Sequence, residues 1–295
     1  MTLLSLLLKL KKEFDIKIYV AHVNHMIREN ANIDEIYVKE FCEKNGLEIY
    51  IKHIDILKEA KKSKKGIEET GRSARYKFFD EILEKTNSNK IAIAHNLNDK
   101  AETILMNLIR GTGTSGLKGI EPRRGKYIRP LIEISREKIE QYCEEMKINP
   151  RHDESNDDNT YTRNKIRNIV IPYLKENFNP NIVTNLNRLS EIIKEEEEFF
   201  EKQALRFFEE IAITNTENII EYNVRKFNNL DKVIQKRLIL EAIKRIKGST
   251  QGIEKINLDD IIKLCNNNIG NKYLLPTKGL KIGIKNKKIF IKKIS

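Results

Sequence analysis

The stretch Lys90–Gly119, KIAIAHNLNDKAETILMNLIRGTGTSGLKG, constrains the fold of this chain more than any other. Ile91-Ala92-Ile93-Ala94 is a short apolar run with a β-branched bias, which reads as a buried strand. It stops at His95-Asn96-Leu97-Asn98-Asp99, almost all polar. Apolar residues then recur at Ala101, Ile104, Leu105, Leu108 and Ile109, the stripe of a helix buried on one face. Asn98 or Asp99 can cap that helix, and Glu102 in its first turn suits the helix dipole. It ends at Arg110 and runs into Gly111-Thr112-Gly113-Thr114-Ser115-Gly116, a loop rich in backbone N–H groups. Polar groups at the carboxyl end of a buried strand lie where open α/β sheets bind ligands.

The flanking segments fit the same architecture. Met1 to Phe14 reads as a helix, and Ile16 to Ala21 as a strand ending at His22-Val23-Asn24-His25. Ala31 to Asn45 is helical in pattern, Leu47 to Ile54 alternates as a strand, and Ile67 to Lys85 is a long amphipathic helix. Strands alternating with such helices predict an α/β fold whose strands at Ile16, Leu47 and Ile91 are parallel neighbours in one sheet. The first helix is then a crossover helix whose preceding strand lies outside this sequence. Ser135 is a plausible N-cap for a helix to Met146, and a further helix starts near Arg163. Pro172 and Pro180 bracket the expected domain boundary. Residues 181–247 read as helical, with one strand at Asn218–Tyr222, and the tail as short strands around turns at Gly279 and Asn286. The expectation is a domain over 1–178 and a mostly helical domain with a short β tail over 179–295.

A chain of 295 residues accommodates two such cores. No apolar run approaches a membrane span, and the apolar start Leu3–Leu8 has its lysines after it, unlike a signal peptide. Cys42, Cys143 and Cys265 are scattered and odd in number, which fits a reducing cytoplasm better than a disulfide framework. The net charge is +12. A general lysine-rich bias explains that sum as well as a nucleic-acid partner does, but its distribution is informative. Residues 159–175 carry Arg163, Lys165, Arg167 and Lys175 with no acid, and 277–295 carry seven lysines with none.

Four polar clusters are candidates for chemistry. His22, Asn24 and His25, with Arg28, end a strand and suit the edge of a nucleotide; ordinary surface residues would look the same. Arg72, Arg75 and Tyr76 share a face of the helix before the central strand, and two guanidiniums suit phosphate oxygens; a salt bridge to Glu68 or Glu69 is the plainer reading. His95, Asp99 and Glu102 place carboxylates at the strand end, able to take a proton from an amine or hold a metal; capping would use Asp99 equally well. Arg163, Asn164 and Arg167 form a basic helix face after a polar loop, read as a phosphate-backbone contact over a solvated face, because no acid is near in sequence.

In their order these motifs resemble one family, the bacterial tRNA(Ile)-lysidine synthetases of the PP-loop ATP pyrophosphatase superfamily. His22-Val-Asn-His25-x-x-Arg28 is similar to its first histidine motif, and Glu69-x-x-Arg72-x-x-Arg75-Tyr76 to its arginine–tyrosine motif. AHNLNDKAETILMNLIRGTG and Arg129-Pro130-Leu131 follow as in the family. Asp153-x-Ser155-Asn156, Tyr161-x-Arg163-Asn164-x-x-Arg167 and Ile171-Pro172 resemble the block that closes its catalytic domain. Asn96, Asn98 and Lys100 depart from the histidine, aspartate and glutamine usual there. The family's SGGxDS phosphate loop would fall immediately before Met1.

The resemblance implies a Rossmann-like parallel sheet of the adenine nucleotide alpha hydrolase-like kind. It also implies an ATP-dependent ligation of free lysine onto C2 of the wobble cytidine in isoleucine tRNA with a CAU anticodon, through an adenylated base. ATP and Mg²⁺ are the expected cofactors. Asp99, Arg75 and Glu102 are the expected catalytic residues. His22, Asn24, His25, Arg72, Ala94, His95, Gly111, Thr112 and Gly113 are expected around ATP, converging on one cleft. Arg123, Arg124, Arg163, Asn164 and Arg167 are expected on tRNA, and no metal ligand is assigned. A cytoplasmic location, no membrane and a homodimer complete the expectation. The rivals are a non-catalytic tRNA-binding relic and a PP-loop thiolase.

Overall fold

The computed structural model describes residues 1–26, 31–64, 66–151, 156–267 and 272–294. Arg28, Asp153 and Ser155 of the motifs lie outside them. The chain forms two compact units, Met1–Glu191 and Ile192–Ser295.

The first unit opens with α1 (Thr2–Glu13), whose Leu3 is buried and whose Thr2 hydroxyl lies 3.0 Å from the Cys143 thiol. Strands β1 (Tyr19–Asn24) and β2 (Glu48–His53) pair in parallel, with His22 opposite Ile51 and Asn24 opposite His53. The crossover between them is α2 (Ala31–Lys44). β1 begins three residues later than its apolar start suggests, so His22 and Asn24 lie in the strand, not after it. Helices α3 (Ile56–Ser63) and α4 (Ile67–Lys85) lead to β3 (Ile91–Ala92). Then come α5 (Leu97–Arg110), α6 (Thr114–Leu117), β4 (Arg123–Arg124), β5 (Tyr127–Ile128) and α7 (Arg136–Glu145), with Ser135 capping α7 as expected.

The single parallel sheet needs one correction. β1 and β2 form one sheet, whereas β3 pairs with β5 in parallel in another, ordered β3-β5-β4. Among the described residues no strand joins β1 to β3, and each is held by one hydrogen-bonded neighbour. The parallel sense is right for β1 and β2; β3 finds its parallel neighbour in β5, a strand the sequence pattern did not mark, instead of in β1 or β2.

Pro172 also reads differently in space. Helix α8 (Thr162–Lys165), a π-turn over Ile166–Val170 and helix α9 (Ile171–Asn177) follow one another without a break. The Ile171 N–H reaches back to the Ile166 carbonyl, one residue further than an α-helix would. Pro172 follows that widened turn directly, as the second residue of α9, so the N–H it lacks falls where the i→i−4 ladder is already interrupted. The proline therefore marks a widened turn, and the chain continues into α10 (Ile182–Ile211). The start of α10 belongs to the first unit: Val183 packs with Ile166 and Ile171 against Ala101, Leu105 and Met106 of α5. The compact unit therefore ends at Glu191 instead of at residue 178.

In the second unit, β6 (Ala212–Asn215), β7 (Ile219–Asn223), α11 (Val224–Asn228), α12 (Lys232–Lys247) and α13 (Lys255–Asn267) precede β8 (Tyr273–Thr277), β9 (Leu280–Lys285) and β10 (Lys288–Lys293). The expected β tail is part of a five-stranded antiparallel sheet ordered β6-β7-β10-β9-β8. Its inner face, with Ile220, Tyr222, Ile282, Ile289 and Ile291, packs against Leu238, Ile239 and Ile243 of α12 and Ile261 of α13.

Candidate active site

The site is built around the N-terminus of α5. Asn96, not Asn98 or Asp99, is the N-cap: its Oδ1 accepts the Asp99 N–H at 3.0 Å, and the Asn96 N–H donates to Asp99 Oδ2 at 3.0 Å. This reciprocal box satisfies two backbone donors that a helix start leaves over. Asp99 is thereby fixed, with Oδ1 turned toward Arg167.

Glu102 lies one turn further along α5 and is almost wholly buried. Arg167 grips it from the π-turn, with Nε at 2.6 Å from Oε1 and Nη2 at 2.9 Å from Oε2. The same Nη2 donates to Asp99 Oδ1 at 3.0 Å, and Nη1 donates to Asn156 Oδ1 at 3.1 Å. Arg163 places Nε 3.4 Å from Glu102 Oε2 and donates from Nη2 to Thr103 Oγ1 at 2.8 Å. Burial pushes the Glu102 carboxyl above its ordinary pKa, while Arg167 and Arg163 oppose the shift. The bidentate pairing with Arg167 favours the charged form and works against burial. Arg167 itself is raised: its bonds to Glu102 and the Asp99 charge outweigh burial. The wide π-turn is what presents Arg167 to two carboxylates on one helix; such turns concentrate at functional sites.

The expected basic face at 163–167 is therefore corrected. No acid is near in sequence, but α5 supplies two in space. Asn164 is buried, and its Nδ2 donates to the Asp158 carbonyl at 2.8 Å, which takes it out of a surface contact.

His95 stands between β3 and the cap. Its Nδ1 accepts from Arg129 Nε at 3.1 Å, so in the neutral ring the proton sits on Nε2, by the logic of the hydrogen bond. Burial, aided by Arg129, Arg163 and Arg72 against Asp99, lowers its pKa to about 4. At neutral pH His95 is an uncharged donor. Arg129 is buried, with Nη1 on the Glu121 carbonyl at 2.7 Å. The sequence carried it within Arg129-Pro130-Leu131 without revealing that it sets the His95 tautomer.

Arg72 acts electrostatically on His95 and lies over the Tyr76 ring at 4.9 Å. On the same helix, Arg75 Nη2 is 3.2 Å from His25 Nε2. His22 is held below its ordinary pKa mainly by burial, against the pull of Glu35. Asn24 is buried and inward-tied: its Nδ2 donates to Asn32 Oδ1 at 3.0 Å and Glu35 Oε2 at 3.1 Å. His53 Nε2 is 2.7 Å from the same Glu35 oxygen. Burial alone would raise Glu35, but bonds from Lys39, Asn24 and His53 outweigh it and hold the carboxyl at about 2. Glu35 and His53 had no signal in the sequence, since the parallel register of β1 and β2 brings His53 to Asn24 and the packing of α2 brings Glu35 to both.

Gly111, Thr112 and Gly113 do not join this group. They follow the far end of α5, which at 1.5 Å per residue is about 20 Å from its cap. Gly111 has φ +77° and closes the helix by donating to the Leu108 carbonyl, a task that favours glycine. Arg123 and Arg124 are exposed on β4, outside the cluster, and Ala94 is exposed just before the cap.

Comparison with protein families matches residues 1–174 to the PP-loop domain. The chain belongs to the PP-loop family. Of the curated relatives, the tRNA(Ile)-lysidine synthase of Clostridium acetobutylicum is 46% identical over 276 residues, covering 93% of this chain and 59% of the relative. That of Clostridioides difficile is 42% identical over 274 residues, covering 92% and 59%. Both bear out the resemblance drawn from the motifs. This PP-loop chain thus spans about three fifths of the length of the curated relatives it matches. Among solved structures, the U34-tRNA thiolase NcsA of Methanococcus maripaludis, with its iron–sulfur cluster, is similar at a TM-score of 0.50 and 20% identity, covering 65% of this chain and 68% of that one. At that identity the likeness speaks for the fold alone.

Proposed function

We infer that this PP-loop chain carries tRNA(Ile)-lysidine synthase chemistry: the joining of lysine to C2 of the wobble cytidine of isoleucine tRNA at the expense of ATP. The observation that carries this reading is the 46% identity to a protein of that name over 93% of the chain, through both compact units. The site supports it. Arg72 and Arg75 stand exposed on one face of α4 and offer the forked donors that phosphate oxygens accept, so the residues present fit ATP. ATP, when bound, would give its AMP moiety to the C2 oxygen with pyrophosphate leaving, and the neutral lysine amine would then displace AMP from C2 and lose a proton to solvent. Arg72 and Arg75 neutralise charge at the α-phosphate. His95 donates from Nε2 to an acceptor on the nucleotide. Asp99, locked by Asn96 and Arg167, orients the lysine ammonium; with both oxygens already accepting N–H bonds, it serves better in holding the amine than in taking its proton. Glu102 keeps Arg163 and Arg167 in place.

Glu102 does not fit Mg²⁺, because it is buried and guanidinium donors take both its oxygens, whereas Asp99 accepts one N–H on each oxygen and keeps a lone pair on each for the lysine ammonium. No step is assigned to Mg²⁺. The thiolase alternative is disfavoured by Cys42 and Cys265, which are fully buried packing residues. Free thiols at all three cysteines accord with a cytoplasmic location.

The test supplies the purified protein with ATP, labelled lysine and unmodified isoleucine tRNA bearing CAU, beside a transcript bearing GAU. Lysine should enter the first and not the second. Equal labelling of both, or labelling without ATP, would overturn the reading.

A further inference from the structure

The alternation in β9 and β10 sends Leu280, Ile282, Ile284, Ile289 and Ile291 into the second unit's core. Lys281, Gly283, Lys285, Lys288, Phe290 and Lys292 consequently share the opposite face. The antiparallel register sets Lys285 opposite Lys288, Gly283 opposite Phe290 and Lys281 opposite Lys292. One aromatic ring is thus framed by two like-charged cross-strand pairs. Such pairs weaken a sheet, so folding stability is not what selects them.

The glycine matters to the frame. A Cβ at Gly283 would stand 2.7 Å from Phe290 Cζ and 2.9 Å from the Tyr273 Cβ, so only glycine leaves the ring room to lie across β9 toward β8. Lys281 Nζ is 3.6 Å above the Tyr273 ring. A groove of about 430 Å³ opens on this face, lined by Phe290 and the four lysines against a single carboxylate, Glu221. Glu221 bonds Lys288 at 3.1 Å and Thr214 at 2.6 Å, which leaves the charge of the other three lysines to the groove.

A general surplus of lysine would spread cations evenly over the exposed surface. It would not place them at the corners of a partly exposed ring seated over a glycine. Phosphates alone would not need the ring, and an apolar partner would not tolerate the lysines. A base with its flanking phosphates uses both. We propose that the outer face of the second unit's sheet is a docking platform for single-stranded RNA. An unstacked base rests on Phe290, and the neighbouring phosphates meet Lys281, Lys285 and Lys292. The proposal rests on the reading that this protein works on tRNA, and it locates one of the surfaces that would hold it.

The experiment uses the whole 295-residue chain and fluorescence anisotropy with labelled isoleucine tRNA and a single-stranded fragment of its anticodon loop, across a range of salt. Phe290→Leu should bind about tenfold more weakly with an unchanged salt dependence, and Phe290→Tyr should match the parent. The triple change Lys281→Gln, Lys285→Gln, Lys292→Gln should reduce the slope of log K against log salt by about 2, from roughly 0.7 per lost contact. Thermal melts confirm that each variant is folded; a variant that fails to melt cooperatively is replaced by Lys285→Gln with Lys292→Gln, for which the expected loss of slope is about 1.4. RNA binding unchanged in every variant would overturn the platform while leaving the proposed function standing. A parent protein that binds no tRNA would overturn both. Loss in the lysine variant with Phe290→Leu unaffected, or equal binding to polyglutamate, would replace the platform with a general polyanion surface.

Discussion

Glu102 sits a full turn beyond the α5 cap, where the helix dipole gives a carboxylate little help. Its ionisation depends on Arg167 and Arg163, and their orientation depends on it. Removing one member of such a buried set strands the others, a loss of about 3–5 kcal/mol. Glu102→Ala is expected to lose that much in urea unfolding, and Glu102→Gln less, since it keeps the volume and one acceptor. A Glu102→Ala protein within 1 kcal/mol of the parent, by the usual error of such measurements, would show that the ion pairs are incidental. His95 adds a pH dependence whose sign can be worked out. Its folded pKa of about 4 lies below the ordinary value of 6.5, so the unfolded chain takes up its proton first. Stability from this group is complete above pH 6.5 and is lost as the pH falls toward 4. His95→Gln cannot titrate, yet its amide oxygen can accept from Arg129. Unfolding measured from pH 7 to 4 should show a shallower acid loss in that variant; an identical slope would remove His95 from the account.

At the scale of elements, helices were legible where a cap marked the start, as with Ser135, or where the apolar spacing ran long enough without one, as with Ile67–Lys85. They were misjudged where a partner from elsewhere decided the outcome. Leu108 and Ile109 continue the α5 stripe in sequence, yet both are exposed, 56% and 64%, because the buried part of α5 reaches no further than Met106. Lys100 and Glu102, polar by type, are the buried ones. Pro172 carries the local signature of a break, but a π-turn absorbs it, and no one-residue rule distinguishes the two. The Gly111-Thr112-Gly113 loop has the composition of an anion cradle, and its position at the wrong end of α5 is invisible until the helix length is laid out. That position yields a prediction. Gly111→Ala should cost about 1–2 kcal/mol in stability, because a side chain at φ +77° is strained. Its affinity for ATP should equal the parent's in calorimetry. A selective loss of ATP affinity would return the loop to the site.

For the whole molecule, the α/β character, the helical middle and the β tail were all readable from periodicity, because each element needs an apolar face of the matching period. The division between units was not readable, because it falls inside one long helix with no break in its pattern. Residues 182–191 begin α10 but complete the first unit. Val183 is buried against α5, Asn187 Nδ2 donates to the Leu97 and Val183 carbonyls at 3.2 and 2.8 Å, and Ser190 Oγ donates to the Lys118 carbonyl at 2.7 Å. The Leu97 carbonyl belongs to the first turn of α5, so these bonds also steady the cap that fixes Asp99. A fragment ending at Phe178, where prolines suggest a boundary, would lose a buried aliphatic side chain at about 1.5–3 kcal/mol and the two tertiary hydrogen bonds at about 0.5–1.5 kcal/mol each. It would also uncover Ala101 and Leu105. A fragment ending at Glu198 retains all of them and keeps a further turn beyond. The longer fragment is expected to be more stable by about 2.5–6 kcal/mol, the sum of those losses, in urea unfolding and to resist proteolysis at α5. Equal midpoints for the two fragments would mean that the first turns of α10 are passengers, and that the first unit's core closes without them.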